Sequence, residues 1–88
     1  MNYMLCRHKV KDYAKWREVF DADAKPREET GFHLLHLLRD VSDPNYIVML
    51  FELDDVEKAK AFCESPSAHE AAAESGVIGE PEAFYLTD

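Results

Sequence analysis

The feature that most constrains this chain is a pair of segments that are apolar on both faces of an extended strand. Read in strict alternation, Tyr46 to Leu53 sets Ile47, Met49 and Phe51 on one side and Tyr46, Val48 and Leu50 on the other. Phe32 to Arg39 sets Leu35 and Leu37 against Phe32, Leu34 and Leu38. A sheet with one wet face alternates apolar and polar residues, so two apolar faces require two covers. The chain has 88 residues, enough for a single domain over 1–88 whose own helices roof one face only. The other face is expected to pack on a second copy, most simply as a two-fold homodimer through the sheet faces. Covering even ~600 Å² of apolar sheet is worth on the order of 15 kcal/mol before association costs.

Turn and cap residues order the remaining elements. Tyr3 to Val10 reads as a first strand, and Asp12 caps a helix whose Tyr13, Trp16, Val19, Phe20 and Ala24 recur at helical spacing. Pro26 predicts a break near Lys25, followed by one more turn ending at Gly31. Asp40 to Asn45 is a turn joining the second strand to the third. Asp54 or Asp55 opens a helix to about Glu64, Ser65-Pro66 restarts it, and Gly76 closes it. Gly79-Glu80-Pro81 leads into a last strand, Glu82 to Thr87. The resulting β-α-β-β-α-β order is α+β and ferredoxin-like. It is a four-stranded antiparallel sheet with helices on one face, strands 1 and 3 central.

Charge and composition exclude several functions. Acidic residues outnumber basic ones by 18 to 10, a net charge of −8, so nucleic acid is not an expected partner. Residues 1–44 balance eight against eight, and the deficit lies in 45–88, where Lys58 and Lys60 face ten acids. That half reads as a solvated acidic face or as a patch that repels anions. No apolar run is long enough for a membrane span, and Met1-Asn2-Tyr3 starts no signal peptide. Cys6 and Cys63, outside any redox or zinc spacing, suggest buried thiols and a reducing, cytoplasmic setting. No phosphate loop, nucleophile elbow or hydrolase triad is present.

The chain resembles the dimeric α+β barrel superfamily, antibiotic biosynthesis monooxygenase-like domains, along essentially its whole length. The marks are Arg7-His8-Lys9-Val10-Lys11-Asp12-Tyr13 running into Trp16 and Phe20, and Asp43-Pro44-Asn45 before the third strand. Phe51-Glu52-Leu53-Asp54-Asp55 and Gly76-Val77-Ile78-Gly79-Glu80-Pro81 complete them. The resemblance implies a homodimer whose sheets close a barrel, with a ligand pocket in each subunit between sheet and helices. It implies oxidation of a small aromatic or quinol-like molecule without metal or flavin, or else a non-catalytic binding or stress-related accessory dimer. Haem-degrading relatives carry an asparagine, a tryptophan and a histidine where this chain has Cys6, Phe62 and Ala72, so that activity is not expected.

The candidate residues are few. His8 shares strand parity with Met4, Cys6 and Val10, facing the helices, where an imidazole can act as general base or serve as a hydrogen-bonded strand end. Trp16 and Phe20 read as core or as a wall for a planar ligand, and Cys6 and Phe62 as further pocket lining. His69 reads as a residue at the cavity mouth or as an exposed helical histidine. Glu52 reads as a base in an apolar strand or a cap before the next helix. On a regular strand His33 and His36 point to opposite faces, which argues against a shared metal; His36 faces either the pocket or the dimer. Arg7 and Lys9, of opposite parity to His8, are expected to meet acids of the second subunit.

Overall fold

The helix boundaries in the computed structural model, which describes all 88 residues, follow the capping chemistry. Helix α1 (Tyr13–Ala22) starts where the Asp12 carboxylate accepts from the Ala14 N–H at 2.9 Å. Asn45 fixes the same end from across the molecule, its side-chain oxygen accepting from the Tyr13 N–H at 2.9 Å. Helix α3 (Val56–Glu64) is capped by Asp55, and α4 (Pro66–Ser75) by Ser65 with Pro66 as its first residue. The break after α1 falls at Asp23, ahead of the expected Lys25. Pro26 sits in the first turn of α2 (Ala24–Glu29), where its missing N–H costs no helical hydrogen bond.

The strands β1 (Asn2–Val10), β2 (Phe32–Arg39), β3 (Tyr46–Leu53) and β4 (Val77–Thr87) form one antiparallel sheet in the order β2-β3-β1-β4. This is the ferredoxin-like α+β arrangement expected from the order of elements. Gly31 enters β2 at φ +93°, and a Cβ there would come within 2.9 Å of the Asp54 Cβ, so glycine is required by both backbone and space.

The helix-covered face carries the core. Met4, Val10, Ile47, Met49, Phe51 and Leu53 from β1 and β3 meet Trp16 and Ala59 from the helices, all buried. Phe32 packs edge-on against Phe51, ring centroids 5.5 Å apart. The opposite face is apolar and uncovered. Cross-strand partners share a face, which places Leu5, Val48, Leu50, Leu38, Phe84 and Leu86 there together. Leu38 is 57%, Leu86 48% and Phe84 40% exposed.

Two irregularities alter the parities expected from simple alternation. In β2, Leu34 pairs with Phe51 but His36 with Leu50, so Leu35 is an extra residue. Beyond it every side chain changes face: Leu37 joins Phe32 and Leu34 on the helix side, and His33, His36 and Leu38 share the open side. The expectation that His33 and His36 face opposite ways fails for that reason. In β4, Arg7 pairs with Glu82 and Lys9 with Ile78, leaving Gly79, Glu80 and Pro81 opposite His8. Strand β4 thus begins at Val77, and the Gly-Glu-Pro segment interrupts it as a bulge. Gly79 has φ +72° and Pro81 lacks an N–H, both suited to leaving the ladder.

Candidate functional site

A cavity of about 330 Å³ lies between the helix-covered face of the sheet and all four helices, α1 to α4. Its origin is small side chains. Helix α4 presents Ala68, Ala71, Ala72 and Ser75, and the sheet presents Cys6 and Ala83. Where larger apolar residues would meet and close the space, these leave it open. The aromatic wall comes from α1 and α3, with Trp16, Phe20 and Phe62. Trp16 is 3% exposed and stacks on Phe20 with centroids 4.7 Å apart and an interplanar angle of 20°. The volume lies within the range of small-molecule sites, and the lining is predominantly hydrophobic.

His8 stands in this wall, 8% exposed, its ring centroid 5.7 Å from that of Trp16. Its Nδ1 lies 3.8 Å from the Cys6 Sγ, and its Nε2 is buried with no hydrogen-bond partner. A buried polar atom without a partner costs about 1–3 kcal/mol and calls for an explanation such as strain, a bound water or a functional role; the other such atom, Arg7 Nε, lies outside the cavity. Burial holds the imidazole pKa below its ordinary value of 6.5, so the ring is neutral at neutral pH. In the tautomer that carries its proton on Nδ1, toward the Cys6 sulfur, Nε2 presents a free lone pair. The β4 bulge opposite His8 adds Pro81 to the lining at the same place.

Both thiols line the cavity half-buried. Burial pushes Cys6 up to about 11 and raises Cys63, which sits 3.9 Å from the Met4 Sδ. At neutral pH they are protonated thiols and make poor nucleophiles. His69 is exposed and lines the edge of the cavity beside the β4 bulge.

The structure therefore brings His8, His69, Cys6, Trp16, Phe20 and Phe62 to one cavity. It does not bring His36 or Glu52 there. The extra residue at Leu35 turns His36 to the open face beside Leu50, and Glu52 pairs with Tyr3 and His33 on that face. The Asp54 carboxylate is taken by His33, Nε2 to Oδ2 at 3.0 Å. Arg7 and Lys9 meet acids of their own chain, Glu82 at 3.1 Å and Asp43 at 3.0 Å.

Sequence reading missed Arg27 and Asp23, the charged groups lining the cavity at the α1–α2 junction, and the α4 alanines. The run Ala71-Ala72-Ala73 after Ala68 was a usable signal, because small residues on one helix face mark close approach or space. Arg27 had none: it lies in a six-residue helix among other charges.

No protein-family model matches the sequence, and no curated protein matches it. Solved structures do. An antibiotic biosynthesis monooxygenase is 15% identical at a TM-score of 0.73, covering 100% of this chain and 98% of the other. SnoaB from Streptomyces nogalater, a cofactor-independent oxygenase, is 20% identical at 0.75, covering 99% and 91%. Protein Atu4242 from Agrobacterium tumefaciens is 14% identical at 0.69, covering 99% and 92%. Matches of this length at such low identity speak to architecture, and the chain has the fold of the antibiotic biosynthesis monooxygenase-like domains.

Proposed function

We propose that this protein is a cofactor-independent, monooxygenase-like enzyme that binds a small aromatic or quinol-like molecule in the cavity beneath its helices. The observation that carries the reading is the His8 Nε2, a neutral, buried and unpartnered base in an apolar, aromatic-lined space. His8 accepts the proton of a phenolic or enolic hydroxyl; the anion's ring carbon then bonds to dioxygen, the co-substrate, as a hydroperoxide, whose O–O bond breaks to leave one oxygen on the ring as a ketone and the other as water. The aromatic wall excludes water from that anion and orients its ring. SnoaB, alike in fold, is a cofactor-independent oxygenase, which supports the same class of chemistry here. His69 is a second candidate proton carrier at the cavity edge.

The working unit in this reading is a homodimer through the open sheet faces, because seven large apolar side chains of that face stand at least 40% exposed or half-buried in one chain: Leu5, Leu38, Val48, Leu50, Ile78, Phe84 and Leu86. A second reading, a non-catalytic binding dimer, is favoured by the sparse polarity of the cavity, whose lining is mostly hydrophobic.

Dioxygen uptake with a panel of hydroxylated naphthalenes and anthrones separates the two. The enzyme reading expects uptake by the wild type and its loss in His8→Ala, with the dimer intact. Unchanged uptake in His8→Ala removes His8 from the chemistry, and saturable binding without uptake leaves only the binding reading.

A further inference from the structure

Three flat groups stand in sequence along one wall of the cavity: the Trp16 indole, the Phe20 ring and the Arg27 guanidinium. Trp16 stacks on Phe20 at 4.7 Å, and the Arg27 guanidinium carbon sits 3.7 Å from the Phe20 centroid. So close a contact over the ring face holds the guanidinium in place. A single hydrogen bond anchors it further, Nη1 donating to the Phe20 carbonyl at 2.9 Å.

That bond leaves the other guanidinium N–H groups without a carboxylate. Arg27 makes no ion pair, although Asp23 lines the same end of the cavity, whereas Arg7, Lys9 and Arg17 each meet an acid within 3.1 Å. Apart from the half-buried Asp23, the remaining titratable lining is neutral or at the exposed edge. Cys6 and Cys63 are thiols, His8 is an uncharged imidazole, and His69 is exposed. A half-buried arginine with no ion pair, in a mostly hydrophobic lining whose one acid is Asp23, suits planar recognition of an anionic oxygen. Its position at the end of an aromatic wall suits a ligand whose acidic group is attached to a flat ring.

We propose that Arg27 is the specificity-determining residue of this cavity, selecting planar aromatic ligands that carry an acidic oxygen. The inference rests on the reading of the cavity as a small-molecule site and adds to it the charge of the ligand and the residue that reads it.

Isothermal titration calorimetry with 2-naphthoate and its neutral isostere 2-naphthamide tests it. The wild type is expected to bind naphthoate roughly tenfold or more tightly than naphthamide, the range of a charge-assisted hydrogen bond. Arg27→Met is expected to abolish that preference while leaving naphthamide binding within about twofold of wild type. Equal affinities in the wild type overturn the proposal, and that comparison does not depend on a folded variant. A preference that survives in Arg27→Met, or an equal weakening of both ligands, also overturns it. The first outcome assigns the anion to another group, and the second assigns Arg27 to packing alone. Failure of both compounds to bind the wild type contradicts the small-molecule reading itself, and is thereby distinguished from failure of the charge preference.

Discussion

The two faces of one sheet, built from alternate residues of the same strands, have opposite problems. The helix side is covered yet not filled, because Ala68, Ala71, Ala72, Cys6 and Ala83 leave a cavity where larger residues would meet. The open side has large residues and no cover, with Leu38, Phe84 and Leu86 exposed beside half-buried Leu5, Val48 and Leu50. The histidines divide the same way. His8 on the covered side is neutral and its Nε2 has no partner; His33 on the open side is paired with Asp54, which raises its pKa. In the proposed reading, small residues beneath a roof make the binding space, and large ones without a roof make the association surface.

The largest expected effect breaks the open side. Leu50 lies at its centre, paired with Leu5 and His36. Leu50→Arg places an unpaired charge in the proposed interface, at a cost of about 3–5 kcal/mol to association, while the helix-side core is untouched. Sedimentation equilibrium is expected to show monomer with an unchanged far-ultraviolet circular dichroism spectrum. Next in size is the covered side. Ile47 is fully buried, so Ile47→Ala is expected to cost about 2–5 kcal/mol in urea unfolding. Leu38→Ala on the exposed surface is expected to change the stability of a Leu50→Arg monomer by less than about 0.5 kcal/mol.

A third change converts one kind of face toward the other. Ala72→Leu adds bulk to the α4 wall of the cavity, and is expected to weaken naphthoate binding at least roughly tenfold. Because the added carbons enter an existing space, stability should rise or stay within about 1 kcal/mol. A loss of stability above that, with binding retained, would show that the α4 wall is already tightly packed.

The smallest effects are those of pH, and the two histidines carry opposite signs. The unfolded chain takes up a proton near the ordinary value of 6.5, which buried His8 resists. The stability that neutral His8 contributes is therefore lost as pH falls below about 6.5. For His33 the Asp54 hydrogen bond and charge raise the pKa, so its contribution is full below the unfolded value and is lost as pH rises through the folded one. The pH dependence of urea unfolding on either side of about 6.5 is expected to flatten on the acid side in His8→Gln and to change little in His33→Gln, whose pair is exposed.

Much of this architecture was legible in the residues, and the exceptions have a common cause. The caps at Asp12, Asp55 and Ser65 act locally, so their effect is readable from a few neighbouring residues. The parity of β3 was legible because no extra residue interrupts its pairing. The shared face of His33 and His36 was missed because one inserted residue, Leu35, inverts everything after it, and nothing in Phe32 to Arg39 marks that position. The start of β4 was missed because Gly79 and Pro81 read as a loop, whereas Val77 and Ile78 pair before them. The cavity depends on residues far apart in the chain. Cys6, Trp16, Arg27, Ala72 and Ala83 converge only through the tertiary fold, and the role proposed for Arg27 depends on the Phe20 ring beneath it.

The measurement closest to the heart of this account is the imidazole nuclear magnetic resonance of the four histidines during titration with 2-naphthoate. The account predicts a saturable shift of the His8 ring resonances, with those of His33 and His36 on the opposite face unmoved. Saturable shifts at His33 and His36 with His8 unchanged would place binding on the open sheet and contradict it.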